Sequence, residues 1–312
     1  MSPVIEVRQL HKAYGDTVAV DDISFDVQPG EIFGILGPNG AGKTTTVECI
    51  EGLRNPDRGT VSVLGLDPGR DRAELTQRLG VQLQDSQLPA KLRVDEALDL
   101  YSAFYRHPAD WHALMDTLGL TSKSKTPFGK LSGGQKQRLS IALALLGSPR
   151  VAVLDELTTG LDPQARRDTW ELIEGVRDRG VTIVLVTHFM EEAERLCDRV
   201  ALIDAGKVVA IDTPAGLAGR VEGGQRIQFR SSVPFDDALL THLPDVTHVI
   251  RRGDVVVVTG NDNALNAVTS VLARNQIVAE QLRVEQAHLE DAFLALTGRH
   301  AAAGSAAGSG AN

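Results

Sequence analysis

Cysteines, long apolar runs and a net positive charge are scarce or missing in this sequence. Only 2 of its 312 residues are cysteines, Cys49 and Cys197. They are too few and too far apart to predict a disulfide framework or a metal site, so we expect two reduced, packed thiols. The N-terminal MSPVIEVRQLHK has no signal-sequence pattern, and no run reaches the roughly 18 apolar residues that a membrane helix needs. We therefore expect a polypeptide that is made and kept in the cytoplasm, without a membrane span of its own.

Basic residues are outnumbered along the whole chain. There are 32 Lys and Arg against 41 Asp and Glu, for a net charge of −9, and both halves share the acidic excess. A nucleic-acid binder needs a basic field, so we expect no nucleic-acid partner. The hydrophobic content of 42% is that of a globular protein. The length exceeds what one core usually supports, which favours one large domain and a smaller one.

Glycine is what the chain does have, and the most informative glycines lie in GPNGAGKT at 37–44. The apolar run 31–36 before this stretch predicts a buried strand, and 45–50 after it predicts a helix. A strand, a glycine-rich loop and a helix in this order form a P-loop. The residues expected to bind nucleotide here are Gly37, Pro38, Asn39, Gly40, Ala41, Gly42, Lys43, Thr44 and Thr45.

These residue types suit a polyphosphate because main chain must wrap it closely. Three glycines without Cβ atoms, Gly37, Gly40 and Gly42, let backbone N–H groups converge on the β-phosphate, and the helix that follows presents its positive end. Lys43 supplies a cation for the β- and γ-phosphates. The Thr44 hydroxyl is placed to ligate Mg²⁺.

Charged and polar side chains follow two apolar strands further along the chain. The run 151–156 ends in Asp155 and Glu156, and the run 181–187 ends in His188. Strands that are apolar on both faces belong in the middle of a parallel sheet, where ligands gather at the carboxyl ends. Asp155 is therefore predicted to hold Mg²⁺ through water and Glu156 to orient or deprotonate the attacking water. His188 is predicted to face the γ-phosphate.

A second glycine pair lies in LSGGQ at 131–135, which opens a predicted helix. Ser132 and Gln135 have the spacing of a capping box, the structural explanation. A cap alone needs no double glycine, and Gly133 and Gly134 beside a helix N-terminus would leave N–H groups for an anion. A second anion site on the same chain is therefore predicted.

Two further positions have both a structural and a functional interpretation. Tyr14, in a predicted turn upstream of the P-loop, either packs locally or stacks on a purine. Gln84, at the end of a predicted strand 80–84, is either a solvated polar residue or a ligand. Asp162 is predicted to cap the helix that Pro163 begins.

Between these motifs, 92–105 and 111–118 predict a helical insertion. Past Gly219 the pattern changes to strand, helix, strand, strand, helix, strand, and a last helix at 286–296. This order suggests a small ferredoxin-like unit. The unit shows no metal, nucleophile or phosphate motif, so a dimer-stabilising or packing module and a ligand-sensing module both stay open. The tail of small residues, 299–312, is expected to be disordered.

Taken together, the motifs resemble ABC-type ATPases over about residues 4–215. The order is Walker A at 37–44, a Q-loop at Gln84, LSGGQ at 131–135, Walker B at 151–156, a D-loop around Asp162 and a switch His188. Within that superfamily the chain resembles the ATP-binding subunits of daunorubicin-resistance-type drug exporters. This narrower resemblance depends on VQLQDSQL at 81–88 and LEDAFLALTG at 289–298.

The resemblance implies a fold and a division of the chain. The fold class is α/β, a P-loop NTPase of ABC type with a parallel core sheet, an antiparallel β subdomain and a helical subdomain. A small α+β ferredoxin-like domain follows. The implied domains are an ATPase domain at 1–219, with its helical subdomain at about 86–148, and an accessory or dimerisation domain at 220–298.

The resemblance also implies the site and its partners. Catalysis would involve Glu156, His188, Gln84 and Lys43, and Mg²⁺ would be held by Thr44, Gln84 and Asp155. ATP would lie between the Walker A of one protomer and the signature of another, either a second copy of this chain or a homologous subunit. The contacts from that second protomer would be Leu131, Ser132, Gly133, Gly134, Gln135 and Asp162. Tyr14 would stack on adenine. A membrane permease would seat on about residues 86–110, which would hold the ATPase at the cytoplasmic face of the membrane.

One residue departs from the family pattern, and two other functions compete with export. Leu157 stands where family members usually have Pro, which frees a backbone N–H and loosens the turn at 158–162.

A soluble ABC ATPase acting on nucleic acid or ribosomes usually carries a long insertion or two ATPase units, whereas 87 residues separate Lys43 from Leu131 here. A nucleotide-sensing switch that hardly hydrolyses is the other alternative. The transported molecule is not encoded in this subunit.

Overall fold

The computed structural model describes residues 2–82, 88–219, 225–261, 263–286 and 288–297. The chain divides into two compact units between Thr213 and Pro214. How function is divided between these units stays a prediction. Gln84 and the tail 299–312 lie outside the described residues, as does part of the segment 86–110.

The first unit contains nine strands among its described residues. These are β1 (Ile5–Tyr14), β2 (Thr17–Val27), β3 (Ile32–Leu36), β4 (Arg58–Val63), β5 (Leu79–Gln82), β6 (Val151–Asp155), β7 (Thr182–Thr187), β8 (Arg199–Asp204) and β9 (Lys207–Asp212). Its α-helices there are α1 (Lys43–Ile50), α2 (Arg72–Leu75), α3 (Val94–Ser102), α4 (Trp111–Thr117), α5 (Gly133–Leu145), α6 (Pro163–Arg177) and α7 (Met190–Leu196).

The central sheet of the first unit has the order β5-β6-β7-β3-β8-β9. Its pairings are parallel except for the β8–β9 hairpin. Every residue of β3, β6 and β7 is buried, which explains why these strands are apolar on both faces. Because β6 and β7 are neighbours, the residues that follow them meet at one edge of the sheet.

A second sheet, antiparallel with the order β2-β1-β4, covers one face of the core. Its inward residues, including Ile5 and Ile23, share one apolar cluster with Val47 of α1 and with Val153 and Val184 of the central sheet. The P-loop helix α1 is thus enclosed between two sheets. This packing fixes the loop that precedes it.

The helical region between β5 and β6 is built from α3, α4 and α5. These helices contact one another, and α5 also contacts β5 and β6. Leu98, Leu118 and Leu139 are at most 1% exposed in this region. The predicted helices at 92–105 and 111–118 are confirmed with shorter bounds.

The second unit, described by itself, contains α8 (Pro214–Ala218), β10 (Gln225–Ser231), α9 (Ala238–Thr241), β11 (Val246–Arg252), β12 (Val255–Gly260), α10 (Ala264–Arg274), β13 (Ala279–Gln286) and α11 (Leu289–Thr297). Its antiparallel sheet has the order β11-β12-β10-β13. Numbered within the unit, that order is 2-3-1-4, the arrangement of a ferredoxin-like sheet. The predicted element order is confirmed, and its core contains Ile227, Phe229 and Val258.

No helix in the described parts of the chain is both long and apolar enough to cross a bilayer.

Candidate functional site

The P-loop lies between β3 and α1 and is held from two sides. A Cβ on Gly37 would collide with the carbonyl oxygen of Ile203 in β8, and a Cβ on Gly42 would collide with that of Ala19 in β2. Gly42 also has a φ of 99°, a left-handed conformation that favours glycine, and it directly precedes α1. These two glycines are therefore required by the path of the main chain as well as by the approach of a phosphate.

Lys43 is 6% exposed and bends back over the loop. Its Nζ donates to the carbonyl oxygens of Gly37, at 2.8 Å, and Pro38, at 3.1 Å. Burial lowers the pKa of Lys43, although Glu156 and Asp155 oppose that shift. The ammonium is thus a poorly solvated cation with neutral partners, and a phosphate would be a stronger one.

Asp155 ends β6 as a buried carboxyl, 8% exposed. Burial, and then repulsion by Glu156, raise its pKa to about 6, against the attraction of Lys43. A buried carboxylate with this penalty is stabilised by a divalent cation, and oxygen donors such as Asp155 and the Thr44 hydroxyl suit Mg²⁺. The residues present at this position therefore fit a magnesium ion.

Glu156 and His188 are brought together at the ends of β6 and β7. The Nδ1 atom of His188 lies 3.0 Å from Oε1 of Glu156. Glu156 has a φ of 46°, and its N–H donates to the carbonyl oxygen of Val186 at 2.9 Å. The side chains are 31% exposed for His188 and 11% for Glu156. A carboxylate hydrogen-bonded to an imidazole at the edge of a sheet can accept a proton from water and has a partner that fixes its orientation.

Leu157 is 1% exposed, so its side chain belongs to the core. A Pro at this position would favour an extended backbone at the residue before it. Glu156 has instead the left-handed φ given above. The turn after Glu156 is closed by two backbone bonds, from Thr159 N–H to the Glu156 carbonyl at 3.3 Å and from Leu161 N–H to the Thr158 carbonyl at 3.2 Å. Leucine is thus compatible with this turn, which the sequence alone did not establish.

The signature 131–135 begins α5 with the predicted capping box. Ser132 Oγ accepts from the Gln135 N–H at 3.3 Å, and Gln135 Oε1 accepts from the Ser132 N–H at 3.1 Å. The double glycine has a second cause that the sequence did not show. A Cβ on Gly134 would come within 3.3 Å of the Ala165 Cβ, because α5 starts directly against α6. Ser132 and Gly133 are exposed, whereas Leu131 is buried.

A cleft of about 320 Å³ opens at this helix end. It is lined by Gly119, Ser132, Gly133, Gly134, Gln135, Arg138, Gly160, Leu161, Asp162, Ala165 and Asp168. Asp162 caps α6, since its Oδ1 accepts from the N–H groups of Gln164 and Ala165 at 3.0 and 2.9 Å. None of the lining residues belongs to the P-loop at 37–44, so the two predicted phosphate-binding helix ends are separate features of one chain.

Tyr14 ends β1 instead of lying in a turn, and it is 43% exposed. The Lys12 ammonium lies 5.8 Å and the Arg54 guanidinium 5.9 Å from its ring centroid. Asp57 binds this strand end by accepting from Lys12 Nζ at 2.7 Å and from the Ala13 N–H at 2.8 Å. An exposed aromatic ring with nearby cations can stack on a base.

Several residues of the site were missed by the sequence analysis. Gln82, 4% exposed in β5, accepts from the Asp155 N–H at 3.0 Å through its Oε1. Gly206, in the β8–β9 turn, donates its N–H to the Ala41 carbonyl at 3.0 Å. A polar residue inside an apolar strand is the only sequence signal for Gln82. The sequence contains no functional signal for Gly206.

The fold and the site together define a P-loop ATPase with a second, signature-type helix end. Residues 20–159 match the family model described as "ABC transporter". The chain is 40% identical over 303 residues to a Nod factor export ATP-binding protein I of Burkholderia pseudomallei, covering 95% of this chain and 97% of that protein. It is 34% identical over 311 residues to the linearmycin resistance ATP-binding protein LnrL of Bacillus subtilis, covering 95% and 99%.

Similarity to solved structures supports membership of this family. The cbiO1 protein of Clostridium perfringens, part of the ABC transporter complex cbiONQ, matches 70% of this chain and 92% of its own, at 28% identity and a TM-score of 0.65. An ATP-binding cassette in its ADP conformation matches 68% and 92%, at 25% identity and a TM-score of 0.62. The chain belongs to the ATP-binding proteins of ABC transporters. It is an ATPase that binds ATP with Mg²⁺ and whose hydrolysis is coupled to transport.

Proposed function

We propose that this chain is the ATP-hydrolysing subunit of an exporter that powers efflux of a drug, antibiotic or other hydrophobic compound through a separate membrane permease. The observation that supports this proposal is the presence of a P-loop and a separate signature cleft on one chain. The relatives that align with 95% of this chain are an export ATP-binding protein and a resistance ATP-binding protein. The ATPase would work at the cytoplasmic face of the membrane.

ATP is proposed to bind through the P-loop, Tyr14 and a magnesium ion. The β- and γ-phosphates bind the main chain at 37–45 and the Lys43 ammonium, which exchanges carbonyl partners for phosphate oxygens. Adenine stacks on Tyr14. Mg²⁺, held by Thr44, by Gln84 and through water by Asp155, supplies positive charge to the phosphate oxygens when bound.

Hydrolysis depends on the Glu156–His188 pair. Glu156 orients the attacking water and takes its proton, because its carboxylate is fixed beside the imidazole. The Nδ1 atom of His188 faces Glu156, which leaves Nε2 to meet the γ-phosphate. Charge that develops on the phosphate oxygens is stabilised by Lys43 and His188 from one side.

The other side of the nucleotide is supplied by a second protomer, identical or homologous. Its residues 132–135 and Asp162 line one cleft, separate from its own P-loop, and can therefore serve a neighbour's ATP. The Ser132 hydroxyl and the Gly134 N–H would face the γ-phosphate. In a head-to-tail dimer, the helix end at the P-loop and the helix end at the signature would both bind ATP.

The permease is proposed to seat on residues 86–110. Exposed apolar side chains on and after α3 support this surface, with Leu100 52% and Phe104 65% exposed and Phe104 in edge contact with Tyr101. Gln84 would couple closure of the dimer to this surface. The second unit is proposed to stabilise the dimer, and its ligand-sensing alternative stays open.

The test is resistance and export in cells that carry this chain and a cognate permease. Cells with the native pair should survive a hydrophobic antibiotic that kills cells lacking either subunit, and they should export it into the medium. Glu156→Gln should remove survival and export, lower ATP turnover by about a hundredfold or more, and trap ATP-bound dimers that elute earlier in gel filtration. Glu171→Gln, exposed on α6, should behave like the native protein.

Purification from membranes separates the alternatives. Copurification of a hydrophobic multispan protein supports export. Recovery of ribosomes or nucleic acid instead would favour the soluble ATPase, and unchanged ATP turnover in Glu156→Gln would remove Glu156 from its assigned role.

A further inference from the structure

Glu192 is a buried carboxyl that none of the assigned roles uses. It lies in the first turn of α7, four residues after His188, and is 0% exposed. Its neighbours in sequence, Glu191 and Glu194, are not buried. A fully buried carboxyl is costly unless its surroundings satisfy it, so its partners are informative.

The first partner is on α6. The indole Nε1 of Trp170 donates to Glu192 Oε1 at 3.2 Å, and Trp170 is itself 8% exposed. Helix α6 is the helix that Asp162 caps. A hydrogen bond in the core therefore joins α7, which follows His188, to the helix that follows the D-loop.

The other neighbours are two hydroxyls, each on a segment that carries a residue of the site. Thr187, 0% exposed, directly precedes His188 and accepts from the Phe189 N–H at 3.0 Å. Thr158, also 0% exposed, is two residues after Glu156. Thr158 Oγ1 and Glu192 Oε2 are both buried without a completed hydrogen bond. Small adjustments of either segment can therefore make or lose a contact here.

Burial is the main influence on the charge of this carboxyl. It raises the pKa of Glu192, while Thr187, Thr158, Trp170 and the Arg166 guanidinium oppose that shift. The Arg166 guanidinium also lies 5.2 Å from the Phe189 ring centroid, with Nη1 3.8 Å from Glu191. The Trp170 N–H thus binds Glu192 in a dry environment, where a lost hydrogen bond is expensive.

We propose that Glu192 is a positioning residue for ATP hydrolysis. Its side chain accepts a hydrogen bond from Trp170 of α6 and lies close to the hydroxyls of Thr158 and Thr187, on the segments that carry Glu156 and His188. These contacts keep the Glu156–His188 pair at its 3.0 Å geometry when the site closes. It acts through these segments and does not touch the nucleotide. The proposal rests on ATP hydrolysis by this chain and is independent of which compound is exported.

The experiment measures kcat and KM for ATP and the melting temperature of the full chain. Glu192→Ala should lower kcat by about ten- to a hundredfold with KM within about twofold, since misplacement by one ångström can cost a hundredfold. Trp170→Phe, which keeps a ring but removes the donor, should lower kcat by about three- to tenfold. Glu191→Gln, one position away on the same helix with a side chain 74% exposed, should change nothing.

A double variant decides between positioning and simple packing. Glu192→Ala combined with Trp170→Phe should lose less activity than the two single losses multiplied, because each single change removes the same shared contact. Full multiplication, or a native kcat in folded Glu192→Ala, would overturn the proposal. A parallel fall of kcat, ATP affinity and melting temperature would also overturn it. If Glu192→Ala does not fold, the kcat and KM of Trp170→Phe decide alone.

Discussion

Glu51, at the end of α1, is a second buried acid, and it makes folding sensitive to pH. It is 6% exposed, and burial, followed by repulsion from Asp155 and Glu48, raises its pKa from the ordinary 4.5 to about 8. The folded state therefore binds this proton more tightly than the unfolded chain. Its contribution to stability is complete below about pH 4.5 and is lost as the pH rises to about 8.

Glu51→Gln should remove that loss. Since the amide needs no proton, the variant should exceed the native protein in free energy of unfolding by on the order of 4 kcal/mol at pH 9, and by much less at pH 5. Urea unfolding at the two pH values measures the difference, with the exposed Glu171→Gln as control. An equal difference at both pH values would show that Glu51 is ionised throughout.

Residue types and spacing predicted that Glu156 and His188, at the ends of two apolar strands, lie together, and the structure brings them within hydrogen-bond distance. Lys43 follows from the glycine-rich loop pattern. Glu192 could not be predicted, because in the run MEEAER it has the same neighbours as exposed acids. Only the packing of α7 against α6 and β7 distinguishes it. Gln84, expected at a strand end, lies outside the described residues, and the last described residue of β5 is Gln82, which contacts the Asp155 backbone.

Helices α5 and α6 are held together by Arg138. Its Nη2 donates to Asp168 Oδ2 at 3.0 Å and its Nη1 to the Leu118 carbonyl at 3.4 Å, while Gln164 Nε2 donates to Asp168 Oδ1 at 2.7 Å. Both helices begin at the cleft. The signature and the D-loop therefore form a single rigid surface.

Arg138→Lys should loosen that surface, since lysine lacks the planar fork that serves two acceptors. We expect kcat to fall about three- to tenfold, with unchanged ATP affinity in the unpaired chain. Mixing the variant with an excess of Lys43→Ala chains should raise turnover per Arg138→Lys chain toward the native value, because Arg138 of the Lys43→Ala chain serves the intact P-loop of the other. A drop in ATP affinity in Arg138→Lys alone would contradict this. Arg177→Ala, at the far end of α6, is the control.

At the level of elements, hydrophobic periodicity predicted the strands and helices well and their ends less well. The hairpin β1–β2 extends to Tyr14 because backbone pairing with Thr17 continues past the apolar pattern. The close start of α5 against α6, which requires a small residue at Gly134, depends on three-dimensional packing. No local pattern in the sequence encodes it.

For the whole molecule, the decisive question is whether two chains share their sites. A mixture of Lys43→Ala and Ser132→Arg chains contains heterodimers with one intact site, made from the native P-loop of one chain and the native signature of the other. Equal mixing should give roughly a quarter of native turnover if the sites are independent, while each variant alone should be inactive. Phosphate release measures this.

Two controls make that result specific. A mixture of Lys43→Ala with Glu156→Gln should remain inactive, since both residues belong to the same half of the site. Failure of the first mixture to exceed the single variants would show that each chain works with its own residues. The sequence alone could suggest such sharing, because two anion-binding helix ends occur on one chain. It could not show that their clefts are separate.

The cap at Ser132 limits which residue this position tolerates. A hydroxyl can accept the Gln135 N–H with a lone pair and still offer its own hydrogen to an incoming anion. Aspartate and asparagine cap helices equally well. A carboxylate at this position would repel phosphate, however. An asparagine amide is a larger planar group whose oxygen would be used in capping the helix. Helix capping alone would accept several residues at position 132. The further need for a small group that both accepts and donates a hydrogen bond leaves serine, with threonine as its nearest substitute.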